Sequence, residues 1–175
     1  MSPHLAISIT TGIFSILWAS IATFFGLIGW VGFLGSTSYF ASPGGSKALL
    51  KTILCNVSGM LWALLLINIS LIWSVDDLYF SSLTGILALL MCIQAKFTLF
   101  NYIPGTFTGC CATFALAGEW KLILPSIIIG AIFGYIMKTS GLLLSKKTQK
   151  VRGFITSITS ITSITSITRR DSDEL

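Results

Sequence analysis

Residues 26–51 read GLIGWVGFLGSTSYFASPGGSKALLK. Glycines fall at 26, 29, 32 and 35, followed by Phe40-Ala41, a Pro43-Gly44-Gly45 turn and Lys47. The pattern returns at an offset of 74: aligning Phe40-Ala41 with Phe114-Ala115 also aligns Gly35 with Gly109, Gly44 with Gly118, Lys47 with Lys121 and Leu50 with Leu124. An apolar, glycine-spaced stretch that recurs at such a distance is the trace of an internal duplication in a polytopic membrane protein.

Composition gives the same class. The 175 residues are 54% hydrophobic and 10% charged, with a mean hydropathy of +0.89. A soluble domain carries about a quarter charged residues and could not hide so much apolar surface. Uncharged intervals run from Leu5 to Ser46, Thr52 to Val75, Leu78 to Ala95, Phe97 to Gly118 and Leu122 to Met137. A crossing helix needs about 20 mostly apolar residues. The first interval has room for two and the others hold one each, which predicts about six transmembrane helices. They fall near Leu5–Phe24, Leu27–Ala41, Ala48–Trp73, Leu78–Ala95, Thr98–Leu116 and Leu122–Leu144. A barrel would show short alternating strands, which are absent. The predicted fold is therefore an all-α integral membrane protein, with residues 1–144 in the bilayer and a basic, low-complexity cytoplasmic tail over 145–175.

The net charge of +5 does not point to nucleic acid, because the cations sit at span ends and in the tail. With six spans both termini share one side, together with Lys47, Lys51, Lys96, Lys138 and the tail cations Lys146, Lys147, Lys150, Arg152, Arg169 and Arg170. Lys121 alone falls opposite, and Asp76-Asp77 lies in an opposite loop. The positive-inside rule puts both termini in the cytoplasm. MSPHL lacks the basic start and cleavage site of a signal peptide, so the first span is expected to be uncleaved. Cys55, Cys92, Cys110 and Cys111 all fall within spans and read as packing residues rather than a disulfide framework.

From Phe154 the tail reads FITSITSITSITSITRRDSDEL, an Ile-Thr-Ser triplet repeated four times. Period three gives neither a helical nor a strand face, so a disordered appendage is expected. The terminal Asp-Glu-Leu lacks the lysine of a retrieval signal.

A repeat of three spans is odd, so two copies, 5–75 and 78–144, must insert in opposite orientations. Inverted repeats of this kind place a site near the bilayer midplane. The plainer alternative is shared glycine-rich packing in a small bundle. Span five adds Pro104-Gly105, which predicts a kink or break. The candidates for lining a path, or for packing it shut, are Gly35, Ser36, Thr37, Ser38, Asn56, Gln94, Lys96, Asn101, Pro104, Gly105, Thr106, Thr108 and Gly109. Polar residues in spans commonly serve as interhelical bonds, and Lys96 is expected to snorkel to the cytoplasmic interface.

Five segments together, FLGSTSYFA (33–41), MCIQAK (91–96), PGTFTGCCATFA (104–115), GEWKLILPS (118–126) and GAIFGYIMKTSG (130–141), resemble the YcdZ-like family of small bacterial inner-membrane proteins. The resemblance implies inner-membrane placement and supplies neither catalytic residues nor a substrate, since the family is one of unknown function. The Ile-Thr-Ser tail departs from the family pattern.

An enzyme is not expected. The single histidine is His4, there is no intramembrane carboxylate pair, no metal-ligand spacing and no phosphate loop. No cofactor or metal is expected, and the partners are the lipid bilayer, a small solute and further copies of the chain. Two functions remain. The first is a channel or facilitator for a small neutral or polar solute, favoured because intramembrane charge is nearly absent. The second is a membrane-embedded accessory protein whose glycines serve only helix packing and oligomer contacts.

Overall fold

The computed structural model describes the backbone of residues 2–73 and 76–173, and the side chains of these except Asp77 and 151–173. Residue 75, the last of the first repeat expected from the sequence, and the terminal Glu174-Leu175 lie outside them. The order is α1 (Pro3–Phe25), α2 (Gly29–Phe40), α3 (Ser46–Trp73), α4 (Asp77–Gln94), α5 (Ile103–Ala115) and α6 (Trp120–Asp173). The chain is an all-helical membrane protein, with no strand among the described residues.

Local chemistry sets the helix ends. Ser2 caps α1, its hydroxyl accepting the Leu5 N–H at 3.3 Å with Pro3 in the first turn. Gly26 ends it at φ 64, in the left-handed conformation glycine tolerates best. Gly44 and Gly45, at φ 93 and 88, turn the chain between α2 and α3.

Three stretches are long and apolar enough to cross a bilayer: Pro3–Phe25, Ser46–Trp73 and Trp120–Lys150. Their outward faces carry bare aliphatic and aromatic groups such as Ile16 (72% exposed) and Leu71 (73%). At 1.5 Å per residue α2 and α5 measure about 18 and 20 Å, short of a hydrocarbon core of about 30 Å. Six full crossings are thus not reached by helix length. Of the kink or break expected in span five, the kink is corrected. Residues 95–102 form turns and irregular chain, and Pro104 sits in the first turn of α5. There its missing N–H costs nothing and its fixed φ suits the helix. The tail expected to be disordered has helical backbone to Asp173. Beyond Lys150 it holds no proline and one glycine, Gly153, so nothing in it stops a helix already started.

Long-range packing is crossed. α1 lies antiparallel on α6: Thr10 Oγ1 donates to Met137 O at 2.9 Å, and the Trp18 and Phe133 rings meet at 5.6 Å. α2 runs parallel to α6, with the Ile28 N–H on Ser126 Oγ (3.0 Å) at its start and Lys138 Nζ on Phe40 O (3.2 Å) at its end. α5 runs parallel to α3, with Lys51 Nζ on Asn101 Oδ1 (2.7 Å) before its start and Gly118 against Leu64 and Ile67 beyond its end. Val31, Met60, Ala112, Ile123 and Ile127 join α2, α3, α5 and α6 in one core. α4 adds a second cluster through Leu87 and Met91 against Ala63, Leu66 and Cys110.

Candidate functional site

Small residues let the short helices approach the long ones at backbone distance. A Cβ on Gly35 would strike Ile127 O of α6, and one on Gly109 would strike Asn56 O of α3. Gly130 receives the Gly32 backbone, and Gly59 receives Thr106 O, in the same way. Each interface is therefore closed at backbone distance, and most of the polar side chains at its margin find partners within the protein.

They form a belt where the last turns of α2 and the end of α4 meet the first turn of α5 and the facing parts of α3 and α6. Ser36 Oγ donates to Gly130 O at 2.7 Å, tying α2 to α6. Ser38 Oγ donates to Asn56 Oδ1 at 2.9 Å, tying α2 to α3. Gln94, the last residue of α4, joins three helices. Its Oε1 accepts from Ser58 Oγ (2.9 Å) and Trp62 Nε1 (2.7 Å), while Nε2 donates to Thr106 Oγ1 (3.2 Å). Tyr102 OH donates to Ser38 O at 2.6 Å, bridging the approach to α5 and the last turns of α2. All these side chains are uncharged. Asn56 and Thr106 are 1% and 0% exposed.

A groove reaches the belt from one side. Of about 600 Å³, it lies between α3 and the end of α4, walled by Leu54, Leu61, Leu65 and Phe100, with Ser58, Trp62 and Gln94 on its lining. The face covered by α1 is different, because there Gly141 packs against the Ile7 backbone.

Comparison with known proteins gives the family. The family described as "Protein of unknown function (DUF1097)" matches residues 8–142. The chain belongs to the DUF1097 family. The chain is 51% identical over 151 residues to "Inner membrane protein YcdZ" of Salmonella typhimurium, covering 86% of this chain and 94% of that protein. It is 50% identical over 151 residues to the protein of the same name from Escherichia coli, covering 86% and 93%. It is 29% identical over 160 residues to "Uncharacterized protein YahC" of Escherichia coli, covering 85% and 97%. No solved structure matches. The YcdZ-like resemblance read from the five segments is thereby shown, and the relatives' names support a bacterial inner-membrane location.

Within this DUF1097 fold the candidate residues divide. Ser38, Asn56, Gln94 and Thr106 are brought together, and Gly35, Ser36 and Gly109 build the helix contacts beside them. Gly105 is buried against the Tyr102 ring. Thr37, Lys96, Asn101 and Pro104 are exposed, and Thr108 returns its hydroxyl to Pro104 O at 2.8 Å. Asn101 and Thr106 thus do not share a polar line; Asn101 faces Lys51 instead. Trp62, Tyr102 and Lys138 were not among the candidates. Their signal was an indole, a phenol and an ammonium in apolar spans, groups that usually find a partner when buried.

Proposed function

We propose that this chain is a non-enzymatic, passive facilitator for a small uncharged polar solute. It is formed from two three-helix repeats, 5–75 and 78–144, inserted in opposite orientations with both termini in the cytoplasm. The observation that carries the proposal is the exchanged seating of the short helices. α2 lies on the long helix of the second half and α5 on that of the first, and their polar residues meet in an uncharged belt inside the bundle.

The contacts fall close to the offset read from the sequence. Gly35 and Gly109, 74 apart, each meet the backbone of the facing long helix, Gly35 at Ile127 and Ala131 of α6 and Gly109 at Asn56 of α3, whose counterpart at the offset, Gly130, lies between the two α6 contacts. Short helices that stop within the bilayer, flanked by irregular chain, are the parts from which midplane solute sites are commonly made. The absence of charge from the belt favours a neutral solute over ion coupling. Glycines committed to internal contacts leave little for the accessory reading, which draws on the open groove beside α4.

The test is osmotic swelling of proteoliposomes in glycerol, urea or acetamide. Faster swelling than in empty vesicles is expected for at least one, with Gln94→Leu reducing the rate. Equal rates for all three would discard the facilitator in favour of the accessory protein.

A further inference from the structure

Serine and threonine hydroxyls in these helices commonly donate to the carbonyl one turn back, as Thr23, Thr84 and Thr113 do at 2.8–3.0 Å. Thr52 on α3 does not. It is 0% exposed, and its Oγ1 has no partner among the described residues. One turn along the same face, Asn56 is 1% exposed. Its Oδ1 holds Ser38 Oγ, and its Nδ2 has no partner. Reversing the amide would only exchange the atoms, leaving the oxygen free. Buried polar atoms are nearly always paired, and two free ones a turn apart call for a shared partner.

The other half of the molecule shows what these positions do when satisfied internally. At the offset of 74, Thr52 corresponds to Ser126 and Asn56 to Gly130. Ser126 Oγ accepts the Ile28 N–H and donates to Leu122 O, while Gly130 has no side chain at all. Among the described residues, the free buried side-chain atoms thus lie in the first half.

We propose that Thr52 and Asn56 form a binding site for one small uncharged molecule that both donates and accepts hydrogen bonds, of the primary amide or alcohol class, with water in its place otherwise. This rests on the facilitator reading and adds to it the solute class and the residues that touch the solute. A charged ligand is disfavoured by the burial of both groups, and the adjacent cation, Lys51, is engaged by Asn101.

The test uses the full chain in lipid nanodiscs, labelled with 15N-asparagine. Asn56, Asn68 and Asn101 are the only asparagines, so loss of one signal in Asn56→Leu assigns the side-chain amide. Expected are a cross-peak from that amide to water and a saturable shift on titration with acetamide or glycerol. Thr52→Val should weaken the binding at least tenfold and lower the thermal midpoint, and Thr52→Ser should restore both. The proposal is overturned if Thr52→Val raises the midpoint and neither probe shifts the amide, because the atoms are then simply unpaired. Water contact with no response to either probe also overturns it, in favour of a structural water. A saturable shift without vesicle swelling keeps this site and removes the facilitator. Swelling without a shift keeps the facilitator and removes this site.

Discussion

Gly59 and Gly109 stand where α3 and α5 touch backbone to backbone, and a methyl group on either would collide with the facing helix. Overpacking of a rigid contact costs about 1–3 kcal/mol. Gly59→Ala and Gly109→Ala are expected to fall in or above that range in thermal unfolding of the detergent-solubilised protein. Gly12 and Gly85 have nothing within 4 Å of an added Cβ. There alanine should stabilise by about 0.5–1 kcal/mol, since glycine inside a helix carries an entropic penalty. An equal response at all four sites would show that close approach is not what the glycines provide. The close-contact roles of Gly35 and Gly109 were legible in the sequence because glycine spacing in an apolar stretch marks a helix approach. Thr52 was not legible, because a threonine in an apolar helix ordinarily bonds to its own backbone and carries no outward sign of failing to.

Among the elements, α2 depends most visibly on a neighbour. It has no side-chain cap at its start, where Ser126 of α6 takes the Ile28 N–H. At its end Lys138 Nζ donates to Phe40 O and to Ser42 O, at 3.2 and 2.9 Å, and sits 5.6 Å from the Tyr39 ring centroid. A cation at a helix C-terminus meets both the open carbonyls and the negative end of the dipole. Charged hydrogen bonds are worth about 1.5–3 kcal/mol. Lys138→Met should therefore destabilise by about that much and speed amide exchange over residues 37–45 ahead of the rest of the protein; uniform acceleration would refute a local role. α1, α3 and the start of α6 were legible to within two residues because an uncharged run bounded by polar residues marks its own ends, whereas the end of α6 at Asp173 was not, since its Ile-Thr-Ser triplets carry no helical face. The start of α5 was not, since proline reads alike as a kink within a helix and as its first turn, and the choice between them is made by residues 95–102 folding as turns.

For the molecule as a whole, the antiparallel pairing of α1 with α6 puts the N-terminus at the end that carries Lys146, Lys147 and Lys150. Reporter domains fused to either terminus should both be active in the cytoplasm; activity of either in the periplasm would reverse the proposed orientation. α1 is held to α6 by a buried hydrogen bond and a glycine contact, whereas α4 borders an open groove on α3. Hydrogen exchange should accordingly be faster in α4 than in α1, and equal protection would mean that the groove is filled in the membrane. The exchanged seating also has a consequence during synthesis. When α2 leaves the ribosome, the lysine that closes its last turn lies 98 residues behind Phe40 in the chain. At about 5–20 residues per second, α2 waits about 5–20 s for that partner. Over that interval the insertion machinery or surrounding lipid must shelter its open carbonyls, and the two halves of the protein mature together at the moment the last helix arrives.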